Sequence, residues 1–371
     1  MKKIFLLIVL ISLSTQVGFA QSPFKIKNIK KTMEKATFWQ LNNPKHKTYD
    51  WTNGAFYAGV FASYETTKNE KIFKTMLADF DKVDWRPGLR LTHADDHAIS
   101  QTYIDMARVL EAKGENAWKQ MNPTRVMFED FIDFDYVSRD KRKRDVITWW
   151  WCDALFMGPP ALVKYANYAE DERFFAFSDQ LFEETVDLLW DEEAHLFARD
   201  IDYLWNGNEN DKKEANGEKI FWSRGNGWVM GGIARTLEEL PQDYPKRAMY
   251  EDIFKKMAYK IVSIQQRDGL WRASLLDPDS YPGGETSGSG FYCYALAWGI
   301  NNGLLDKKDF EKPVRRAWKS LYKVVQKDGK VGWVQPIGQD PRKNFGPDSW
   351  EVYGTGSFLL AGSEMVKLLE N

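Results

Sequence analysis

Two kinds of helical stretch alternate along this chain. In the first, apolar side chains recur at helical spacing and charged ones fill the opposite face, as at Phe174, Phe177, Leu181, Phe182, Val186 and Leu189. Such amphipathic helices are predicted over 26–41, 70–83, 123–134, 172–190, 246–266 and 308–326. The second kind is apolar nearly all round and rich in Ala and Gly, as from Asp50 to Tyr64. A helix without a polar face is buried on every side, and small residues let helix axes approach closely. Six such stretches start near Asp50, Ala94, Cys152, Arg224, Ser287 and Tyr353, roughly 45 to 75 residues apart. Six apolar helices alternating with six amphipathic ones predict an inner ring wrapped by an outer ring. The fold class read from this pattern is all-α, an (α/α)6 barrel, in a single domain over 21–371. Strand-like alternation is scarce, 269–275 being its best short candidate, and the polar 200–220 segment is predicted as a solvated loop. In such a barrel the inner helices begin at one rim. Their Gly-rich and aromatic starts therefore converge on one mouth, where helix N-termini favour anions.

The first 20 of the 371 residues read differently. Met-Lys-Lys, an apolar run from Ile4 to Leu13 and Gly18-Phe19-Ala20 form an export signal with a cut after Ala20. The apolar run is shorter than the about 20 residues a membrane span needs. The expected location is therefore periplasmic or secreted, with no membrane attachment after cleavage. Losing Lys2 and Lys3 leaves 49 basic against 53 acidic side chains, a net charge near −4. That excludes the basic excess a nucleic-acid or anionic-membrane partner would require. Cys152 and Cys293 are the only cysteines. An oxidising compartment would permit their pairing, but their apolar surroundings suit two unpaired core thiols better. Aromatics reach 15%, with 16 Trp, which suits a large core or flat platforms for sugar rings.

The candidate chemistry sits at the helix starts. Asp153 follows Trp149-Trp150-Trp151-Cys152 and opens an apolar helix. Asp is a favoured N-cap. Equally, a carboxylate in apolar surroundings holds its proton to higher pH, which suits a general acid. His93-Ala94-Asp95-Asp96-His97 packs two carboxylates and two of the four histidines into five residues. No zincin-type spacing accompanies them, so acid–base work is favoured over a metal site, and Asp95 is alternatively a helix cap. Neither metal nor organic cofactor is expected. In Phe221-Trp222-Ser223-Arg224-Gly225-Asn226-Gly227-Trp228, Arg224 offers a bidentate cation for a carboxylate between flat faces, or an internal ion pair. Tyr49, Trp51, Trp271, Trp333 and Tyr353 add loop aromatics that are wall or ligand contact. Gly288-Ser289-Gly290 lacks the strand of a nucleophile elbow, and no P-loop or dinucleotide fingerprint is present.

In order, His-Ala-Asp-Asp-His, Trp-Trp-Cys-Asp-Ala-Leu-Phe-Met-Gly-Pro, Trp-Ser-Arg-Gly-Asn-Gly-Trp and Pro-Gly-Gly-Glu-Thr-Ser-Gly-Ser-Gly resemble glycoside hydrolase family 105. These are the unsaturated rhamnogalacturonyl and glucuronyl hydrolases, related to family 88, and the likeness runs along nearly the whole chain. It implies an (α/α)6 barrel without metal or cofactor. The implied substrate is a lyase-generated oligosaccharide ending in a 4,5-unsaturated uronic acid, of ulvan, rhamnogalacturonan or arabinogalactan type. The implied reaction is hydration of the C4=C5 bond, with Asp153 protonating C4 and water adding at C5. The resemblance carries a second carboxylate onto the Asp95-Asp96 pair, with Asp96 preferred. It carries ring stacking onto Trp222 and Trp228, and makes Arg224 the cation for the uronate; Trp151, His93 and Tyr49 complete the expected substrate contacts. One departure stands out. Where family members carry a His-Gly-Trp-like turn, this chain reads His195-Leu-Phe-Ala-Arg199, and Arg199 suggests an additional anionic group, a sulfate or a second uronate.

Two other classes fit the same residues. A polysaccharide lyase on this barrel would use His93, His97 or Tyr103 as base with an Arg neutralising the uronate. A non-catalytic glycan-binding protein would keep the Trp platforms and have no use for Asp153.

Overall fold

The computed structural model describes residues 22–141, 147–342 and 344–371. The expected signal peptide and its cut after Ala20 lie outside the described residues. Among the described residues fourteen α-helices follow in chain order: α1 (Ile26–Asn42), α2 (Trp51–Thr67), α3 (Glu70–Asp81), α4 (Ala94–His97), α5 (Ser100–Ala112), α6 (Trp118–Lys141), α7 (Ala154–Met157), α8 (Pro159–Ala169), α9 (Arg173–Leu189), α10 (Ser223–Glu239), α11 (Arg247–Ser263), α12 (Thr286–Asn301), α13 (Lys307–Val324) and α14 (Val352–Glu370).

Helices α2, α5, α8, α10, α12 and α14 each touch the next, and α14 closes back on α2. They form the inner ring, and α1, α3, α6, α9, α11 and α13 pack outside it as α14, α2, α5, α8, α10 and α12 demand. The six-plus-six alternation is thus an (α/α)6 barrel. Small residues permit its tightness. A side chain at Gly59 of α2 would sit 2.4 Å from the Gly356 carbonyl of α14, and one at Gly232 of α10 would sit 2.1 Å from that of Leu155. Both lie far inside van der Waals contact, so these helices meet backbone to backbone.

Two inner positions are broken rather than continuous. Gly158 and the proline pair Pro159-Pro160 separate α7 from α8, because proline supplies no N–H to continue the ladder. The turn at Ala98-Ile99 separates α4 from α5 in the same way. These two single-turn helices carry the carboxylates Asp95, Asp96 and Asp153. Two details differ from the sequence expectation. Helix α6 starts at Trp118, so Pro123 lies within it rather than at its head. Segment 269–275 is not a strand: it runs past Phe221–Ser223, sharing a single bridge between Ser274 and Trp222. The only sheet among the described residues pairs β1 (Trp190–Asp191) with β2 (Leu196–Phe197).

Candidate active site

The inner helices start around one mouth, and an open cavity of about 620 Å³ lies there. Trp51, Asp95, Trp151, Asp153, Met157, Arg199 and the 337–342 segment line it. Both single-turn helices therefore deliver a carboxylate to the same space.

Asp153 stands at the N-cap position of α7, yet its side chain makes no capping hydrogen bond there. It is only 8% exposed. Burial pushes its carboxyl above the usual range, opposed by the nearby Arg199 and Arg224 guanidinium groups. Asp95 faces the same cavity, and burial together with the Asp153 charge pushes its carboxyl up to about 7. Two carboxyls in one low-dielectric space then titrate as a pair and hold a proton near neutrality.

Asp96 is placed differently. Its carboxylate accepts from the Arg90 backbone N–H at 2.5 Å, from Nε at 3.0 Å and from the terminal nitrogen at 2.9 Å. Those bonds outweigh burial and hold it below the usual carboxylate range. Asp96 is absent from the cavity wall; it wraps the 88–90 loop around the start of α4. His93 sits between the two roles. Its ring packs on Trp151, centroids 4.5 Å apart, and its Nδ1 lies 3.7 Å from an Asp95 oxygen. Burial pulls His93 down to about 4, so it is neutral at pH 7.

The three consecutive tryptophans point three ways. Trp149 is fully buried and donates to the Thr92 carbonyl at 3.1 Å, Trp150 is half exposed, and Trp151 faces the cavity.

Arg224 is fully buried. Its guanidinium donates to the Gln335 carbonyl at 2.6 Å and the Pro336 carbonyl at 3.0 Å, sandwiched between the Trp222 and Tyr353 rings at 4.4 and 4.7 Å. Trp222 donates to the Gln335 side chain at 2.8 Å, and Tyr353 to its carbonyl at 2.7 Å. From the other side, Glu285 caps α12 and also accepts from the Gln335 N–H at 3.1 Å. Arg224, Trp222, Tyr353 and Glu285 therefore anchor the 335–340 segment that forms one cavity wall. Trp228 is fully buried beneath Trp51, Phe156 and Phe291. Tyr49 is half-buried near Lys47 and Arg86, away from the cavity lining.

Arg199 reaches the cavity because its segment is pinned. Asn226 exchanges two hydrogen bonds with the Phe197 backbone, at 2.8 and 3.0 Å, and the Cys152 N–H donates to the Arg199 carbonyl at 2.9 Å. One guanidinium nitrogen lies 2.5 Å from Asp200 and its Nε 3.5 Å from Asp153.

The structure thus brings together Asp153, Asp95, Trp151 and Arg199, with His93 behind them. It places Asp96, Arg224, Trp222, Trp228 and Tyr49 outside the lining. Sequence reasoning missed Met157 and the 337–342 wall, including Asp340 and Arg342. Only the charge pair Asp-Pro-Arg marks that loop in sequence, and nothing local says where it folds. Cys152 and Cys293 are buried and unpaired.

Comparison with known proteins agrees with this geometry. The model of glycosyl hydrolase family 88 matches residues 25–369. A relative from Formosa agariphila named unsaturated 3S-rhamnoglycuronyl hydrolase is 44% identical, covering 95% of this chain and 94% of its own. Among solved structures, one named a polysaccharide lyase superposes with a TM-score of 0.82 at 30% identity, covering 93% of this chain and 98% of its own. A family 88 glycosyl hydrolase from Bacteroides vulgatus superposes at 0.81 and 27% identity, covering 93% and 99%. With the barrel, the motif order and the end-to-end match in agreement, the chain belongs to glycosyl hydrolase family 88.

Proposed function

We propose that this glycosidase removes a 4,5-unsaturated uronic acid from the non-reducing end of lyase-generated oligosaccharides by hydrating the C4=C5 double bond. The observation that carries the reading is Asp153: a buried carboxylate, unused as a helix cap, facing an open cavity beside a second carboxyl. Protonating carbon requires an acid that keeps its proton near neutral pH, and burial favours that form. Asp153 gives a proton to C4 while water adds at C5. The resulting hemiketal opens, the next sugar leaves with its oxygen reprotonated, and Asp153 regains its proton from the water that added. We assign the second carboxylate to Asp95, because Asp96 is engaged by Arg90.

The relative's name points to a rhamnose sulfated at O3 beside the uronate, and we propose the same substrate class here, the sulfated rhamnoglycuronyl fragments of ulvan. Of the cavity's cations, Arg342 lies toward the mouth and is 42% exposed, where the sugar following the uronate would project. The proposed location is the periplasm or the exterior, reached through cleavage after Ala20.

The lyase named among the neighbours raises a second reading. A lyase needs a base at C5, and two candidates are spent: His97 is fully buried against the Leu91 carbonyl, and the Tyr103 hydroxyl donates to the Arg86 carbonyl. One assay decides. The hydrolase reading requires the ultraviolet absorbance of the C4=C5 bond to fall on lyase digests, and Asp153→Asn to stop that fall with the fold intact. A rise on intact polymer would make the protein a lyase. No change on either would make it a binder. Faster turnover of sulfated than desulfated disaccharide, lost in Arg342→Ala, is the outcome expected for the sulfate.

A further inference from the structure

Arg199 occupies an unusual position for a cation at an active site. Its guanidinium lies between two acids, held closely by Asp200 at 2.5 Å and loosely by Asp153, whose oxygen is 3.5 Å from Nε. That Nε is buried and has no hydrogen-bond acceptor. A buried donor left without a partner is costly, so it marks a place for a group that arrives later. The backbone around Arg199 is fixed by Asn226 and Cys152, and Asp200 is itself tied by accepting from the Asp202 N–H at 2.9 Å. The guanidinium is therefore anchored at one end by Asp200, with one free donor 3.5 Å from Asp153.

The other cations near this space are occupied or remote. Arg224, whose Nε also lacks a partner, grips two carbonyls with its terminal nitrogens and lies outside the cavity lining, and Arg342 is at the mouth beside Asp340 and Glu214. A substrate whose C4 lies within reach of Asp153 carries its carboxylate on the adjacent carbon. Arg199, with its unpartnered N–H, lines the same cavity as Asp153 and is the cation there available to such a carboxylate.

We propose that Arg199 is shared between Asp153 and the uronate: in the free protein it is the counterion of Asp153, and the arriving carboxylate takes it over. Asp153 then loses its counterion in a buried space that also gains a negative charge, and takes up a proton from solvent. The substrate's own charge thereby arms the acid that attacks it. This inference rests on the hydrolase reading. It also shifts Arg199 from a sulfate contact to the uronate, leaving sulfate to the mouth.

The groups that face Asp153 are Asp95 from α4, Cys152 before it, Arg199 and Arg224. Of the two arginines only Arg199 lines the cavity and lies within 3.5 Å of Asp153. The pH dependence of kcat/KM reports the free protein and that of kcat the loaded one. Losing an opposite charge within hydrogen-bonding range raises a carboxyl by about one unit or more. The wild type should therefore show an alkaline limb for kcat lying about one unit or more above that for kcat/KM. In Arg199→Gln the limb for kcat/KM should rise and the gap close; in Arg199→Lys, which restores a charge, part of the gap should return. Coincident limbs in the wild type would overturn the proposal without recourse to any variant. So would an Arg199→Gln profile with both limbs unmoved and only the rate reduced, the signature of a structural role. Failure of the wild type to consume unsaturated disaccharide would instead overturn the hydrolase reading.

Discussion

Asp95→Asn offers a stability test of the active-site electrostatics that needs no substrate. Asp95 is pushed from 3.8 to about 7, first by burial and then by the Asp153 charge. A shift of roughly three units at 1.36 kcal/mol each means the folded state pays about 4 kcal/mol to hold this side chain ionised. The sign follows from proton counting. Between pH 4 and 7 the folded state keeps a proton that the unfolded chain has released, so this group's contribution to stability falls as pH rises through that window. It is level above about pH 7. Asparagine is nearly isosteric and never ionises, so the variant is relieved of the penalty. Relative to wild type, Asp95→Asn should be near equal in stability at pH 4 and more stable at pH 8, by about 2–4 kcal/mol. The gap should open progressively from one to the other. The two histidines beside it, both held near 4, contribute with the opposite sign between pH 4 and 6.5, but do so in both proteins and cancel in the difference. Urea unfolding at pH 4, 6 and 8 with a common m-value reads the effect directly. Activity should fall in the same variant, a gain in stability bought with function. A stability difference that is flat with pH, or a wild type more stable at pH 8, would refute the reasoning. The latter would mean that Arg90, 3.8 Å from Asp95, holds the carboxylate more strongly than burial and Asp153 disfavour it.

Three further outcomes follow from the scaffold. Arg224→Lys keeps the charge but loses the fork that grips the Gln335 and Pro336 carbonyls and the stacking between two rings. It should lower stability by about 2–4 kcal/mol in urea unfolding; a rise in KM with unchanged stability would instead return Arg224 to the substrate. Asn226→Ala removes both clamps on the Phe197 backbone. It should cost about 2 kcal/mol and lower kcat by displacing Arg199, seen as a steeper loss in rate than in KM. Gly232→Ala puts a methyl group 2.1 Å from the Leu155 carbonyl and should destabilise by about 1–3 kcal/mol, measured by thermal melting, while leaving the pH profile of the residual activity in place.

The barrel was legible in sequence because its two helix types differ in composition, not only in period. Inner helices such as α12 lack a polar face, outer helices such as α13 have a sharp one, and the alternation has no other simple packing solution. The mouth was legible for the same reason: helices that alternate in direction must begin at one rim. Which polar residue faces the cavity was not, and the physical cause differs from case to case. Asp95 and Asp96 are neighbours on one helical turn, so their side chains diverge by about 100°. The choice between cavity and Arg90 then rests on how the 88–90 loop closes, and a side chain at Gly88 would collide with Asp96 at 2.2 Å. No local pattern around His93–His97 encodes that closure.

Arg224 illustrates the opposite limit. Its motif announces a cation between aromatic faces, and the structure supplies both faces, yet the donors turn to carbonyls more than a hundred positions away along the chain. A guanidinium reads the same in sequence whether its fork grips a ligand or the wall that shapes the ligand's site. What separates the two is where the remaining donor lies, and only the three-dimensional structure shows it. Both arginines keep a buried Nε without a partner, but Arg224 lies outside the cavity lining, whereas Arg199 lines the cavity with that Nε 3.5 Å from Asp153. The residue that departs from the family pattern is therefore the one whose chemistry is still unclaimed, and the acid at the mouth is best understood together with it.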